Sequence, residues 1–194
     1  MGGLVFDSKG NLFGTTQLGG TSNQGTIYEL ALVGGTWQET ILTSLNSKTG
    51  YHPEAGLAID NKDRLYGVTI KGSPGPTVIE LAPAANGTFT KKVIYVFGTN
   101  PGDGALPEAA LTVRNGSLYG TTLEGGNQPC ICGTVFKLTH GTSGTWTETI
   151  VHNFTTQNYD EPRSTPVFDA TGNLYGTTKY GTTGFGGVFK IAPH

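Results

Sequence analysis

Four stretches of the chain read as one phrase: Asn11-Leu12-Phe13-Gly14-Thr15-Thr16, Arg64-Leu65-Tyr66-Gly67-Val68-Thr69, Ser117-Leu118-Tyr119-Gly120-Thr121-Thr122 and Asn173-Leu174-Tyr175-Gly176-Thr177-Thr178. Their leucines are 53, 53 and 56 residues apart. A second phrase follows each copy, at residues 25–30, 76–81, 133–138 and 186–191. A third runs over residues 36–45, 88–97 and 145–154, opened by Trp37, Phe89 and Trp146. A short apolar run precedes each first phrase, at residues 4–6, 55–59, 109–113 and 164–168. Each unit therefore holds short runs of Val, Ile, Thr, Tyr and Phe, punctuated by Gly, Asn, Asp and Pro. That is strand chemistry separated by turn chemistry. No segment sustains a 3.6-residue apolar period, so helix is not expected.

Four strands per unit of about 50 residues is the arithmetic of a β-propeller blade. The expected fold is an all-β, four-repeat propeller forming one domain, with repeats over about 1–45, 46–97, 98–154 and 155–194. With the strands of a unit named a to d in chain order, the fourth repeat lacks d. Its last blade should carry an unpaired edge, which invites association. Two closures satisfy this: a tight four-bladed monomer, or a homodimer joining two half-rings.

Composition narrows the function. Charged residues make up 13% of the chain and the net charge is −2, so the basic footprint of a nucleic-acid binder is missing. No apolar run approaches the roughly 20 residues of a membrane span, and membrane insertion is not expected. The opening Met1-Gly2-Gly3-Leu4 has neither the basic nor the apolar region of a signal peptide. Cys130 and Cys132 would close a very small disulfide ring, so they are expected as unpaired loop thiols. Metal ligation by the pair would need two further ligands. Asp7, Asp60 and Asp169 recur in the a–b turns, where a carboxylate can accept amides two residues on. A structural role is expected for them ahead of calcium binding. Trp37, Phe89 and Trp146, equivalent in the repeats, are expected to pack blade against blade.

Leu-Tyr-Gly-Thr-Thr, a Gly-Gly loop and Gly-Thr-Val-Phe-Lys-Leu, clearest over residues 118–138 and 174–191, resemble the GloVer tandem repeat of bacterial secreted and surface proteins. The resemblance covers the whole chain. It implies propeller-like domains and an extracellular or cell-surface location, and it carries no catalytic residues. The Asp-x-x-Gly-Asn-Leu-Tyr phrasing is also similar to NHL and gluconolactonase-type propellers, over a shorter stretch.

Strand alternation places the b–c and d–a loops on one face and the short a–b and c–d turns on the other. Function concentrates in variable loops held by a rigid scaffold. The d–a loops read Tyr51-His52-Pro53-Glu54, Asp103-Gly104-Ala105-Leu106-Pro107-Glu108 and Tyr159-Asp160-Glu161-Pro162-Arg163. Symmetry should bring Glu54, Glu108 and Arg163 to the mouth of a channel, with His52, Asp103, Asp160 and Glu161 around the rim. All of these except His52 are the candidate ligand-binding set. Converging carboxylates suit Ca2+, with Glu54 and Glu108 as candidate ligands. The main expectation is an extracellular module that binds a small-molecule, carbohydrate or protein ligand on this face. The alternatives are a calcium-dependent lactonase, with His52, Glu54 or Glu108 in catalysis, and a purely structural repeat.

Overall fold

The computed structural model describes residues 2–126, 130, 132–155, 159–181 and 184–193, without the side chains of 159 and 160. The described residues contain strands and turns and no helix. The chain divides into two compact units, residues 1–96 and 97–194. Each unit holds two repeats, and every repeat forms its own antiparallel sheet; none of the sheets closes on itself.

In the first unit, β1 (Val5–Phe6), β2 (Leu12–Thr16), β3 (Thr26–Val33) and β4 (Thr36–Ser44) form one sheet in chain order. Strands β5 (Ala58–Ile59), β6 (Leu65–Thr69), β7 (Thr77–Pro83) and β8 (Phe89–Val96) form the second. The second unit adds β9 (Gly104–Ala105), β10 (Thr112–Arg114), β11 (Ser117–Thr122), β12 (Glu124–Gly125), β13 (Thr134–His140) and β14 (Trp146–Asn153). Here β10, β11, β13 and β14 make the main sheet and β9 pairs with β12. Last come β15 (Tyr159–Pro162), β16 (Val167–Phe168), β17 (Leu174–Gly181) and β18 (Gly187–Ile191). β17 is the hub of that sheet and pairs with the other three.

The repeated phrases now have causes. The glycine of Leu-Tyr-Gly-Thr-Thr lies where the third strand and the entering chain approach most closely. A Cβ on Gly120 would meet Leu111 Cδ2 at 2.8 Å and the Phe136 ring, and one on Gly176 would meet the Phe189 ring at 2.6 Å. The second threonine ties the ends of two strands together. Thr16 Oγ1 lies 2.7 Å from Thr26 Oγ1, Thr69 Oγ1 2.9 Å from Thr77 Oγ1, and Thr122 Oγ1 2.8 Å from Thr134 Oγ1. In each pair the first hydroxyl also accepts the backbone N–H of the second threonine, at 3.1–3.2 Å. In all four repeats it donates to the carbonyl two residues on, at Leu18, Lys71, Glu124 and Tyr180.

The first threonine reaches the next repeat of its own unit. Thr15 Oγ1 donates to the Ala55 carbonyl (2.9 Å) and Thr121 Oγ1 to the Ser164 carbonyl (3.2 Å). Between the third and fourth strands a register shift recurs at Ile27/Tyr28, Val78/Ile79 and Val135/Phe136. One extra residue bends the strand and raises its twist.

The core of each unit joins its two sheets. Phe13, Ile27, Leu45, Leu57, Leu65, Ile79 and Leu81 form one cluster. In the second unit the Phe97 ring packs edge-on against Phe136 (5.1 Å) and Phe154 against Phe189 (5.0 Å). Phe97 and Phe154 thus each pack on the third strand of the repeat that follows.

Three expectations change. The innermost strands are only two or three residues long, because the chain ahead of them is held by other partners. Phe89 packs across repeats against Phe13 (5.7 Å), but Trp37 is 46% exposed and Trp146 stacks on His140 within its own hairpin. Position in the repeat did not decide this. Finally, Cys130 and Cys132 form a disulfide. Their Cα atoms are 5.3 Å apart, against about 7 Å for two extended residues. The expectation of unpaired thiols rested on an extended segment, and the chain is drawn in there to a usual disulfide span.

β18 is the last described strand, and the described residues of the fourth repeat form a, b and c. Val188 is 69% exposed, whereas its counterparts Ile27, Val78 and Val135 are fully buried.

Candidate functional site

The chain entering each of the last three repeats crosses the b–c loop of that repeat as a short strap. Tyr51 bridges Lys71, Ala105 pairs with Glu124, and Asp160 pairs with Tyr180. These partners lie six residues after Leu65, Leu118 and Leu174. The next strap residue is left-handed each time: His52 (φ 55), Leu106 (φ 54) and Glu161 (φ 49). Such backbone costs about 1–2 kcal/mol for a residue with a Cβ, and backbone hydrogen bonds hold it in place. The His52 N–H donates to the Gln24 carbonyl (3.0 Å) and the Glu161 N–H to the Cys132 carbonyl (3.1 Å). A proline follows, and its Cδ sits against a glycine of the preceding repeat: Pro53 on Gly25, Pro162 on Gly133. The recurrent proline is therefore a packing piece, and the residue after it (Glu54, Glu108 or Arg163) is presented beside the sheet ends.

In the second unit the structure brings three of the candidates together. Arg163 Nη1 is 2.7 Å from Glu108 Oε2, and Arg163 Nη2 is 2.9 Å from Glu161 Oε2. Lys179 Nζ is 3.0 Å from the same Glu161 oxygen. Hydrogen bonds from Lys179 and Arg163 hold the Glu161 carboxyl below its usual range. Two carboxylates and two cations make a locally neutral cluster. In the first unit Glu54 Oε1 instead accepts the Gln17 side-chain amide (2.9 Å). Both line a groove of about 660 Å³ with Tyr28, Thr15, Leu18 and Pro53. Leu18 is 53% exposed there.

One candidate differs from its expected place. Asp103, expected on the rim, is buried, and its Oδ2 accepts the Gly98 and Thr99 N–H groups (2.8 and 3.3 Å). The loop folds back over it, so it closes a turn; its Oδ1 has no hydrogen-bond partner. His52 packs its ring edge-on against Tyr51 (5.1 Å). The Asp160 side chain lies outside the described residues. Gln17 and Lys179 were not singled out from the sequence. A signal existed, since the residue after Thr-Thr is polar in the first and fourth repeats and apolar (Ile70, Leu123) in the other two.

At the opposite end of the sheets the a–b turns show why their aspartates recur. Oδ1 of Asp7, Asp60 and Asp169 accepts the N–H groups two and four residues on, at 2.8–3.0 Å. Oδ2 takes the side chain of Asn11, Arg64 or Asn173. These carboxylates are occupied by their own turns. Among the described residues no group of three or more His, Cys, Asp or Glu is arranged to hold a metal.

Burial acts to raise the Asp60 pKa, but the Arg64 and Lys62 amides and the Arg64 guanidinium outweigh it, and the net shift is downward. The Asp169 carboxyl is also held well below the usual range, first by the Asn173 side chain. A depressed carboxyl adds stability that is complete above its unfolded pKa of about 3.9 and is lost as pH falls through the folded value. Burial also pushes His152 below 6.5, so its protonation costs stability at pH below about 6.5. The urea midpoint should therefore fall from about pH 6.5 downward and more steeply below about pH 4. Asp60→Asn should be less stable than the parent at neutral pH, and the gap should narrow in acid. A constant gap would show that the Asp60 charge does not matter.

A family model described as the Gloeobacter/Verrucomicrobia repeat matches residues 1–194. The chain belongs to that family. The Gloeobacter/Verrucomicrobia repeat is thus the unit whose straps, threonine ties and close-packed glycines are described above, and the match covers both units. No curated protein matches the sequence.

Proposed function

We propose that this repeat domain is an extracellular, propeller-type binding module that takes a hydroxyl-rich, carbohydrate-type ligand at the strap-bearing ends of its sheets. The observation that carries this reading is the Glu54 groove. It combines a carboxylate, a primary amide (Gln17), a phenol (Tyr28) and an exposed leucine on a backbone locked by strap hydrogen bonds. A few oriented polar groups beside an apolar surface is the usual make-up of a small-ligand site. The neutral Glu108–Arg163–Glu161–Lys179 cluster is a second polar surface in the same position of its repeat. Calcium belongs to this proposal at Glu54, where no cation faces the carboxylate among the described contacts.

The test is calorimetric titration with a panel of neutral mono- and disaccharides, with and without calcium, on the parent and on Glu54→Gln. Binding weakened about tenfold by the substitution, equivalent to 1.4 kcal/mol, is the expected result. A panel that gives no heat, or a variant that binds like the parent, overturns the reading.

A further inference from the structure

The second unit carries another groove, at the end of the sheets away from the straps, with a volume of about 680 Å³. Its residues come from the a–b turns of the third and fourth repeats, from β13 and β14, and from the chain after β18. Two cations line it, Arg114 and Lys137, and no carboxylate does.

Their arrangement is organised. The Tyr119 and Phe168 rings pack edge to face at 4.8 Å. The Arg114 guanidinium sits 4.4 Å from the Phe168 centroid and Lys137 Nζ 5.7 Å from that of Tyr119. The two cations therefore flank one aromatic pair. Among the described residues neither has a carboxylate partner. The nearest acid in the turn, Asp169, spends its carboxylate on Thr171, Asn173 and Tyr175. Arg114 Nη1 donates instead to the Asp169 backbone carbonyl, at 3.4 Å. Ser117, Thr149 and Thr171 also line the groove, and Ile150, Ile191 and Pro193 contribute apolar lining.

Comparison of the repeats sharpens the point. Val113 pairs with Leu118 as Ile59 pairs with Leu65, so Arg114 stands where the second repeat has Asp60. Lys137 pairs with Tyr119 as Glu29 pairs with Phe13 and Glu80 with Tyr66. Two positions that are acidic in the first and second repeats are thus both basic in the third. At Lys137 the strand register is that of Glu29 and Glu80, so the ladder does not require the reversal there. The third a–b turn is one residue shorter and closes through Asn115-Gly116, with no carboxylate needed at position 114.

We infer that this groove is a binding site for a small organic anion, a carboxylate, sulfate or phosphate group between Arg114 and Lys137 with its body along the Ile150–Pro193 lining. Planar guanidinium and point-charge ammonium donors are the usual partners of such oxyanions. A partly enclosed groove limits solvent screening of the pair.

The probes are glucuronate, glucose 6-sulfate and glucose 6-phosphate, with glucose as the neutral control, titrated by calorimetry and by amide chemical shifts. The expected result is shifts at residues 114–119 and 137 with at least one anion but not with glucose, with the anion's affinity falling as salt is raised; any glucose binding at the Glu54 groove leaves these residues unshifted. The three anions also separate the carboxylate, sulfate and phosphate sources. Lys137→Glu restores the charge found at Glu29 and Glu80, so its fold should be kept, as an unchanged melting temperature will show. It should weaken binding at least about tenfold, and Lys137→Ala should weaken it less. Shifts should centre on residues 114–119 and 137. No binding of any anion up to about 10 mM, equal glucose-induced shifts at residues 114–119 and 137, or retention of full affinity in both variants overturns the site.

Discussion

Gly133→Ala is expected to cost about 4 kcal/mol. Two penalties add. Gly133 has φ +90°, where an L side chain is strained by about 1–2 kcal/mol. The space is also taken, since a Cβ would lie 2.8 Å from both the Leu123 carbonyl oxygen and Pro162 Cδ. Overpacking of this kind adds about 1–3 kcal/mol. Gly133 cannot simply retreat, because its carbonyl accepts the Phe154 N–H (3.1 Å) and its N–H donates to the Gly125 carbonyl (3.3 Å). The control lies in the same unit. Gly144 also has a positive φ, +80°, but a Cβ there meets nothing within 4 Å. Gly144→Ala should therefore cost only the backbone share, about 1 kcal/mol. Urea denaturation of both variants measures the difference. Equal losses would mean that the contact between Gly133 and the next strap does not constrain the fold.

That contact marks the boundary between what the sequence shows and what it conceals. The strands were legible because every repeat spells them with the same residues, and four copies of Leu-Tyr-Gly-Thr-Thr outweigh the ambiguity of one. The recurrence of Pro53, Pro107 and Pro162 was legible as well, but its reason was not. Pro53 and Pro162 each pack on a glycine of the previous repeat, a partner about 28 residues away that only the fold reveals. The same holds for His52, Leu106 and Glu161. Three chemically unrelated residues share one left-handed backbone, so side-chain pattern carried no sign of the strap. Symmetry did place Glu108 beside Arg163, now an ion pair at 2.7 Å. It could not tell that Asp103 turns inward, because that depends on one loop that no other repeat copies. Arg114 and Lys137 were visible as letters. Their meaning needed the strand register, which aligns them with Asp60 and Glu80.

Thr122→Val should destabilise the second unit by about 3 kcal/mol, although it exchanges side chains of nearly equal shape. Thr122 and Thr134 are both fully buried. The Thr122 hydroxyl oxygen accepts the Thr134 N–H at 3.2 Å and contacts the Thr134 hydroxyl at 2.8 Å, while its own hydrogen reaches the Glu124 carbonyl at 2.9 Å. Valine removes that centre and leaves two donors of Thr134 without a partner. A buried group left unsatisfied costs about 1–3 kcal/mol, and water has no path to a residue with no exposed surface. The adjacent Thr121 supplies the contrast. It is equally buried, but its hydroxyl makes one bond, 3.2 Å to the Ser164 carbonyl. The second repeat already carries Val68 at that position, 2% exposed. Thr121→Val should therefore cost about 1 kcal/mol. Adding Thr134→Val to Thr122→Val should recover only part of the loss, because the backbone N–H of residue 134 stays unpaired. Chemical denaturation of the three variants decides the matter. If Thr121→Val proves as costly as Thr122→Val, the threonine tie is only a packing contact, and the second threonine of each phrase recurs for its shape alone.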